Sequence, residues 1–521
     1  MDKRKKKKVL PILSAICFIL GVLILVLTRF SKQKFVISFE SLLYTVSTPM
    51  KGVGGGFWTD MIWYVVPPVL IALALLILGY VLFSTPKFRA WAGRKLEKLK
   101  KNTKARNTIR KALIASGFLF LLVSVILAMH YLFIDLGGLE YMTSRDEGTP
   151  VYEESYVDPK TVKVKAPAKK PNVIWLVLES METTYASEED GGAQEENYIP
   201  NLTRLARENI SFSESETLGG FYALDNTNWT MAALFAGTSG LPFGFPVERN
   251  AMSESESFAE DATAIGDILK RDGYTNEFIC GSDAEFGGRA LYFRQHGDYI
   301  IYDLFTAREQ GDIEPDYYVF WGFEDRILFR IAKKEATRLW EAGEPFNLTI
   351  LTVDAHHFGG YTCEECGTEF DDRTANVIAC TDRQVNEFID WCREQPFWGN
   401  TVIVMTGDHP RMDTPLVGDV PYTERTVYNC FINARKTPRG GTTGRLSTMM
   451  DMYPTILSAM GYTIQGNRLG LGTDLFSTRE TLAEEMGYEE LNSELKKSIG
   501  FFVENFMDEP EETEEPEGDA S

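Results

Sequence analysis

Three long apolar stretches stand out in the first part of the chain, at residues 9–28, 61–83 and 113–134. Each has about 20 residues, the length that a helix needs to cross about 30 Å of hydrocarbon. A buried core helix is the alternative for any one of them, and a secretory signal is a further alternative for the first. Because no clean cleavage site follows the first stretch and two more stretches come after it, we predict three transmembrane helices in a membrane domain of residues 1–135.

The basic residues that flank these stretches predict their orientation. Residues 3–8 precede the first span, and a dense basic loop at residues 87–111 separates the second span from the third. Lys- and Arg-rich flanks stay on the cytoplasmic side, so the N-terminus is expected to be cytoplasmic and everything after residue 134 extracytoplasmic. Nucleic-acid binding is the other explanation of basic runs, but their position beside apolar spans favours topology signals, and no nucleic-acid partner is predicted.

After residue 171 the hydrophobic pattern changes to short apolar runs separated by segments with helical periodicity. Residues 172–180, 346–357 and 400–410 begin as nearly continuous apolar strands, which is typical of strands buried on both faces of a parallel sheet. The helical segments among them are residues 199–208, 262–271, 325–342 and 376–394. This alternation predicts an α/β domain at residues 172–480, with helices on both faces of a mixed, mostly parallel sheet.

The segments on either side of this domain have no such pattern. Residues 158–171 are rich in Pro, Lys and Ala, which is typical of a tether, and residues 136–171 are predicted to be a linker. Residues 481–521 become helical and then strongly acidic, and the acidic end is predicted to be a disordered tail. Residues 35–51 are moderately apolar, and the sequence leaves open whether they lie on the membrane surface or form a loop.

Composition adds a division of charge between the two ends of the chain. The 521 residues carry a formal net charge of −21. The basic excess nevertheless lies before about residue 112, and nearly all the acidic residues lie after it. A chain of this length is also too long for one compact core. Both observations indicate at least two physical units in different surroundings.

The cysteines leave their chemistry open. Cys17 lies inside the first predicted span, and the other six of the seven lie in the exported part. Cys363 and Cys366 have the spacing of a zinc knuckle, but no second C-x-x-C pair or His partner stands nearby in the sequence. We favour a local disulfide over a metal knuckle, with free thiols as the third alternative, and the sequence does not fix the pairing.

Candidate metal ligands stand where the three predicted strands end. Glu179 ends the first strand, His356 and His357 end the second, and Asp408 and His409 end the third. In open α/β sheets the ligand crevice forms at the carboxyl ends of the strands. Carboxylates and imidazoles are suitable ligands for a divalent cation. A surface Asp-His turn is the alternative for Asp408 and His409 taken alone.

Thr230 is the candidate nucleophile. It leads into a small-residue helical stretch at residues 231–236. At such a helix start the backbone N–H groups and the dipole stabilise an alkoxide and the phosphoryl oxygens that it attacks. An ordinary threonine N-cap is the alternative, and the local sequence alone favours it.

These residues carry a family resemblance. Glu179 in VLES, Thr230 in NWTMAALFAGTSGLP, His356 in TVDAHH, and Asp408 and His409 in TGDHP follow the order found in membrane phosphoglycerol transferases. Residues 171–480 therefore resemble lipoteichoic acid synthases and the enzymes that decorate periplasmic glucans, in the sulfatase/alkaline-phosphatase superfamily. The resemblance implies a sulfatase-like domain after the transmembrane helices, and a Mn²⁺ or Mg²⁺ ion bound by Glu179, Thr230, Asp408 and His409.

The resemblance also implies a reaction. Thr230 would take glycerophosphate from phosphatidylglycerol as a covalent intermediate and pass it to a glycan or glycolipid acceptor of the cell envelope. His356 and Arg289, the latter in GSDAEFGGRALYF, would contact the phosphoglycerol. The same stretch departs from the lipoteichoic acid synthases, which have His and Trp where this chain has Cys280 and Gly287. This departure puts a polyglycerophosphate product in doubt.

Two other functions remain open at this point. A phosphoethanolamine transferase would have the same architecture, although it favours zinc and a different nucleophile segment. A non-catalytic envelope-binding relative would be expected to have lost the nucleophile or a metal ligand, and this chain retains both. Sulfate-ester hydrolysis is not expected, because the C/S-x-P-x-R motif that supplies formylglycine is missing from the sequence.

Overall fold

The computed structural model describes residues 3–34, 38–47, 55–86, 103–144, 147–245, 257–357, 359–497 and 499–506. The chain divides into one unit of residues 1–39 and 54–140, and a second unit of residues 40–53 and 141–521. Most of the predicted basic loop, at residues 87–102, and the acidic end of the predicted tail, from residue 507, lie outside the described residues.

Long apolar helices form the first unit. The helices in this part of the chain are α1 (Lys3–Lys34), α2 (Phe39–Ser47), α3 (Gly55–Ser84) and α4 (Thr103–His130), and α4 continues as a π-helical turn, Tyr131–Asp135. The stretches long and apolar enough to cross a membrane are Val9–Lys34, Met61–Leu82 and Asn107–Asp135. The prediction of three apolar N-terminal helices is confirmed, and the protein is a membrane protein. Residues 35–51, which the sequence left open, contain the short helix α2.

Small residues allow α1 and α4 to approach closely. A Cβ atom at Gly117 would lie 2.3 Å from the carbonyl oxygen of Ser14, and one at Gly21 would lie 2.7 Å from the ring of Phe120. The rings of Phe18 and Phe120 are in contact, with centroids 4.9 Å apart. Contacts between backbones at small residues are the usual basis of helix association in a bilayer, where apolar surface gains nothing by leaving the lipid.

The second unit is built on a central sheet. The strands in chain order are β1 (Val164–Lys165), β2 (Asn172–Leu178), β3 (Phe221–Tyr222), β4 (Thr275–Cys280), β5 (Ile300–Tyr302), β6 (Phe346–Leu351), β7 (Thr401–Gly407), β8 (Thr426–Val427), β9 (Asn429–Ile432), β10 (Thr463–Ile464), β11 (Arg468–Leu469) and β12 (Gly472–Thr473). In the described part of the chain, six of them form one sheet in the order β5–β4–β6–β2–β7–β9, parallel except for β9. This architecture confirms the predicted α/β fold with a mixed, mostly parallel sheet.

The other described helices lie before, between and after these strands along the chain. They are α5 (Gly138–Ser144), α6 (Pro150–Ser155), α7 (Pro200–Glu208), α8 (Thr230–Ser239), α9 (Ile265–Arg271), α10 (Arg289–Gln295), α11 (Leu304–Glu309), α12 (Asp325–Ala342), α13 (Arg373–Arg393), α14 (Met452–Ala459), α15 (Leu482–Met486), α16 (Tyr488–Leu495) and α17 (Ile499–Phe506). Every residue of β2, β6 and β7 is buried. Burial on both faces explains why these strands have continuous apolar runs.

Polar caps account for the differences between predicted and observed helix starts. The helix predicted at residues 376–394 begins earlier, at Arg373, because the side chain of Asp372 accepts hydrogen bonds from the backbone N–H groups of Thr374 and Ala375. The helix predicted at residues 262–271 begins later, at Ile265, where the carboxylate of Asp267 accepts from the N–H of Ala264.

Part of the segment predicted to be a linker, at residues 157–165, pairs with strands and loops of the second unit. Val164 in β1 pairs with Ile464 in β10, and Val157 bridges Gly470. Along residues 161–165 the two valines are partly buried, whereas Thr161, Lys163 and Lys165 are exposed. The prediction overlooked this alternation, which has the period of a half-buried strand.

The strand order decides which loops become neighbours. Val177 of β2 pairs with Leu351 of β6, and Leu178 of β2 pairs with Gly407 of β7. The residues that follow these three parallel strands therefore leave the sheet side by side at its carboxyl edge.

Candidate active site

Glu179, Asp408 and His409 meet at the carboxyl edge of the sheet, after β2 and β7. One ligand atom of each lies within 4.8 Å of the other two. The Nε2 atom of His409 is 3.7 Å from Glu179 Oε1 and 3.4 Å from Asp408 Oδ2. All three side chains are buried. Two carboxylates and one imidazole in this arrangement could hold a divalent cation.

Hydrogen bonds from the surrounding backbone orient these ligand atoms. Asp408 Oδ1 accepts from the N–H groups of Ser180 and His409, both at 2.8 Å. His409 Nδ1 donates to the carbonyl oxygen of Pro410 at 3.0 Å, so Nε2 of the neutral ring carries a lone pair directed at the carboxylates. Ser180, whose φ of 51° turns the chain sharply after β2, donates its hydroxyl to Glu179 Oε1 at 2.7 Å.

One buried oxygen of the cluster remains without a hydrogen-bond donor. Asp408 Oδ2 makes no hydrogen bond to any residue that the structure describes. A buried carboxylate oxygen normally has such a partner. His409 Nε2 lies 3.4 Å from Asp408 Oδ2 and carries no proton in the neutral ring, whose proton is on Nδ1. The residues present therefore fit a bound cation, which would occupy the space between the three ligand atoms.

The electrostatics of the cluster agree with this fit. Burial, and secondarily the charge of Glu179, raises the pKa of Asp408 to about 6. Burial lowers the pKa of His409, but the carboxylates of Asp408 and Glu179 outweigh it, and the pKa ends above its ordinary value. Both shifts show that the site concentrates negative charge in a place from which water is largely excluded, and that it would be stabilised by positive charge.

Thr230 is the first residue of α8 and faces this cluster. Its Oγ1 atom lies 3.4 Å from Glu179 Oε2 and 3.4 Å from His409 Nε2. The N-cap of the helix is Trp229, in an extended conformation, so Thr230 lies one position inside the helix and is not the capping residue. The sequence-based alternative of a threonine N-cap is wrong. The hydroxyl instead lies between the N-terminus of a helix and a candidate cation site.

The small residues of α8 explain how the helix reaches this position. A Cβ atom at Gly237 would lie 2.9 Å from the ring of Trp175 in β2 and 3.3 Å from the sulfur of Met449. Trp175 is held in turn by a hydrogen bond from its Nε1 to the Thr406 hydroxyl of β7. The helix therefore packs directly on the central strands, with its first turn above their carboxyl ends.

His356 follows β6 and is half-buried beside the cluster. Its Nδ1 donates to the carbonyl oxygen of His357 at 2.6 Å, and the two imidazole rings stack with centroids 4.1 Å apart. Burial lowers the pKa of His356 to about 4. The ring is therefore neutral near pH 7, with Nε2 able to accept a hydrogen bond.

Arg289 is held at the start of α10, after β4. Its Nε donates to the carbonyl oxygen of Phe286, and one terminal nitrogen donates to the hydroxyl of Ser282 and the carbonyl oxygen of Asp283. The other terminal nitrogen, Nη1, makes no hydrogen bond within the described ranges. Arg289 is thus anchored by its own loop, and it makes no hydrogen bond to the Glu179 cluster.

Aromatic side chains connect Arg289 with His356. The ring of Phe286 lies 5.7 Å from the Arg289 guanidinium and 5.6 Å from the Trp321 ring, and Trp321 lies 4.6 Å from the His356 ring. The sequence analysis missed Trp321. The aromatic run at residues 317–321 was the available signal, but such runs more often belong to a core, and the contact with His356 depends on tertiary structure.

The structure gives a physical reason for the two departures from the lipoteichoic acid synthase pattern. Gly287 has a φ of 69°, a conformation that a Trp side chain would adopt only with strain. Cys280 is buried at the end of β4, where its sulfur contacts the carbonyl oxygen of Ser282 at 3.4 Å. The positive φ at Gly287 and the burial of Cys280 both disfavour large side chains at these positions.

A buried ion-pair network supports the loops that carry the site residues. Arg425 binds both carboxylate oxygens of Glu182, at 2.7 and 2.8 Å, and donates to the carbonyl oxygen of Arg411. Arg411 pairs with Asp413 and donates to the carbonyl oxygen of Ala355 at 2.8 Å. The network thus ties the loop after Asp408 to the turn that contains His356. These charged residues were also missed in the sequence.

Residues 171–462, more than half of the chain, match the sulfatase family. Two curated proteins named phosphoglycerol transferase I are similar to the chain. The one from Xanthomonas euvesicatoria is 29% identical over 299 residues, which is 56% of this chain and 41% of that protein. The one from Citrobacter koseri is 31% identical over 355 residues, which is 66% of this chain and 44% of that protein. The chain therefore spans less than half the length of these relatives.

Two solved structures are similar in fold. A lipoteichoic acid synthase, LtaP from Listeria monocytogenes, aligns with a TM-score of 0.46 and 16% identity, over 61% of this chain and 76% of that one. A lipooligosaccharide phosphoethanolamine transferase, EptA from Neisseria meningitidis, aligns with a TM-score of 0.47 and 18% identity, over 85% of this chain and 83% of that one.

Proposed function

Since the chain belongs to the sulfatase family, we propose that it is a membrane-anchored phosphotransferase that moves glycerophosphate from phosphatidylglycerol to an envelope glycan or glycolipid. The observation that carries this proposal is the position of the Thr230 hydroxyl, 3.4 Å from both Glu179 and His409 at the N-terminus of α8. A hydroxyl beside a cation site and helix N–H groups is suited to attack phosphorus. The phosphoglycerol transferases among its relatives support glycerophosphate as the cargo.

The proposed reaction has two steps. The Thr230 hydroxyl, which points at Glu179 Oε2, loses its proton and attacks the phosphorus of phosphatidylglycerol. A Thr–O–P bond forms, the bond from phosphorus to the diacylglycerol oxygen breaks, and diacylglycerol leaves with a proton. A hydroxyl of the acceptor then attacks the same phosphorus and releases Thr230, which regains its proton.

The residues of the proposed site hold the cation and contact the donor, and Thr230 is also the nucleophile. A Mn²⁺ or Mg²⁺ ion would be held by Glu179, Thr230, Asp408 and His409. Three of these four residues bind through oxygen, which suits both ions. Such a cation, when bound, supplies positive charge that stabilises the alkoxide and the phosphate oxygens. His356, neutral at pH 7, would accept a hydrogen bond from the glycerol.

Arg289 would have the second contact with the donor. Its Nη1 atom is the guanidinium nitrogen without a hydrogen bond in the described part of the chain, and it would donate to a phosphate oxygen. The three bonds that hold the rest of the side chain to its own loop fix the direction of this nitrogen.

The membrane topology belongs to the same proposal. With residues 1–135 as the membrane domain, the N-terminus and the basic loop at residues 87–111 are cytoplasmic. The linker at residues 136–171 and the catalytic domain at residues 172–480 are then extracytoplasmic, and the tail at residues 481–521 follows on the same side. An anchored domain on that side would have access to both a lipid donor and envelope acceptors.

The test is mass spectrometry of the purified protein after incubation with phosphatidylglycerol and Mn²⁺. We expect a glycerophosphate adduct on Thr230, with release of diacylglycerol. The Thr230→Ala variant should give neither. Thr230→Ser, which keeps a hydroxyl at the same place, should form the adduct on the serine and serves as the matched control.

Other results would point to the alternatives. An adduct formed only from phosphatidylethanolamine would replace this proposal with a phosphoethanolamine transferase, for which EptA is the structural parallel. Absence of any adduct from either lipid, with the metal site shown to be filled, would instead indicate a non-catalytic relative that binds envelope components.

A further inference from the structure

Three cysteines meet at a second place in the second unit, further along the chain than His356. Cys363 and Cys366 lie in the segment between β6 and α13, and Cys380 lies on α13. The Sγ atom of Cys363 is 3.6 Å from that of Cys366 and 3.8 Å from that of Cys380. Cys363 and Cys380 are buried, and Cys366 is half-buried. The sequence suggested the first two as a pair, but only the fold adds the third.

The number and spacing of these sulfurs favour a metal ion over a disulfide. A disulfide joins two sulfurs at about 2.05 Å and would leave the third thiol unused in the same pocket. A tetrahedral zinc ion with bonds of about 2.3 Å holds its sulfurs about 3.8 Å apart. The two measured separations are close to this value. All three sulfurs lie within 4.8 Å of one another.

A buried polar side chain faces the same point. Gln384, one helical turn after Cys380 on α13, places its amide nitrogen 3.3 Å from Cys380 Sγ and 3.5 Å from Cys363 Sγ. Its amide oxygen is buried without a hydrogen-bond partner among the described residues. Because the two amide atoms have the same shape, a half-turn of the amide directs the oxygen at the sulfurs. The oxygen would then face the fourth corner of the tetrahedron.

We propose that Cys363, Cys366 and Cys380 bind one Zn²⁺ ion, with the Gln384 amide at the fourth position. Thiolates are soft ligands that select zinc over the harder Mn²⁺ and Mg²⁺ expected at Glu179. The site is closed by its own protein ligands, which is typical of a structural zinc site. The proposal is independent of the proposed transferase function, because it concerns a different cluster of residues.

Such an ion would fix the loop that contains His356. That loop is already tied to its surroundings by two contacts near the cysteines: Tyr361 donates its N–H to the carbonyl oxygen of Asp354, and Arg373 of α13 donates to the carbonyl oxygen of Gly360. A bond from Cys363 and Cys366 through zinc to Cys380 would add a further connection between this loop and α13. The proposed zinc site would therefore hold the loop against α13.

The test measures the metal content of the full-length protein, purified in detergent without chelators. We expect about one zinc ion per chain. This zinc should remain in the Asp408→Asn variant, in which the Glu179 cluster is impaired. The Cys366→Ser variant should lose this zinc at least tenfold. Cys392→Ser is the matched control, because Cys392 is a buried cysteine on the same helix that does not belong to the cluster, and its zinc content should equal that of the wild type.

Two results would overturn the proposal. One is a wild-type protein without zinc in which peptide mapping by mass spectrometry finds a disulfide between two of the three cysteines. The other is zinc that disappears in Asp408→Asn but remains in Cys366→Ser, which would assign the ion to the Glu179 cluster.

Discussion

At the scale of single residues, the position of Thr230 relative to the start of α8 decides what its hydroxyl can do. As an N-cap its hydroxyl would accept a hydrogen bond from its own helix, and it would have no role in chemistry. As the first helical residue it directs the hydroxyl at Glu179 and His409 instead. The capping position is taken by Trp229, which has no side-chain oxygen. The helix therefore leaves its N–H groups available to a substrate.

Also at the residue scale, we predict that metal binding depends on pH through Asp408. Burial and the charge of Glu179 raise the pKa of Asp408 to about 6, and the cation needs the ionised form. Protons therefore compete near and below pH 6, and the raised pKa of His409 acts in the same direction. The affinity for Mn²⁺, measured from the increase in Tm, should level off at high pH and fall by at least about tenfold per pH unit below about pH 6.

The Asp408→Asn variant is the control for this pH dependence. It should show little stabilisation by Mn²⁺ at any pH, because the orphaned oxygen of the cluster loses its charge. A wild-type affinity that stays unchanged between about pH 5 and about pH 8 would contradict the assignment of Asp408 as a ligand.

At the scale of elements, helix α8 determines where Thr230, the proposed nucleophile, lies. Its glycine and alanine residues allow the backbone to rest on β2, and its first turn then reaches the ends of the strands. Gly237 is the point of closest approach, since an added Cβ would lie 2.9 Å from Trp175. The position of Thr230 thus depends on a contact two turns along the same helix.

We therefore expect Gly237→Ala to reduce activity without unfolding the protein. A helix displaced by a fraction of an ångström moves the Thr230 hydroxyl away from the cluster, and such displacements cost on the order of tenfold to a hundredfold in rate. The measurement is diacylglycerol release from phosphatidylglycerol, together with Tm. Gly399→Ala is the control, because no atom lies within 4 Å of its added Cβ, and it should behave as the wild type. Equal activities of the two variants would show that the packing of α8 does not position Thr230.

At the scale of the whole molecule, the chain joins an apolar helical unit to an acidic α/β unit. Three stretches of the first unit are long and apolar enough to span a bilayer. The second unit contains the candidate site and the cysteine cluster. The proposed reaction requires the second unit to be on the side of the membrane where the lipid donor and the acceptor are found.

This arrangement predicts a simple pattern of protease sensitivity. In cells stripped of their outer layers but with an intact membrane, added trypsin should cleave exposed sites of the second unit, such as Lys160, whose side chain is 57% exposed. The basic loop at residues 87–111 should be protected until the membrane is permeabilised. Cleavage of that loop in intact cells would reverse the proposed orientation.

The sequence by itself determined the features that depend on local order. Apolar runs predicted the membrane helices, and buried strands ending in Glu179, His356 and Asp408 predicted the edge where a site would form. Both signals depend only on neighbours along the chain, because hydrophobic length and side-chain alternation are local properties. The order of these motifs also carried the resemblance to the sulfatase superfamily.

Tertiary structure alone decided which of these residues meet. Strands β6, β2 and β7 are adjacent although they lie far apart in the chain, and only this order unites Glu179 with Asp408. The orientation of α13 places Cys380 beside Cys363, and the path of the loop after α11 places Trp321 beside His356. Such contacts arise from crossover connections and helix packing, which involve residues distant in sequence and leave no periodic signal in it.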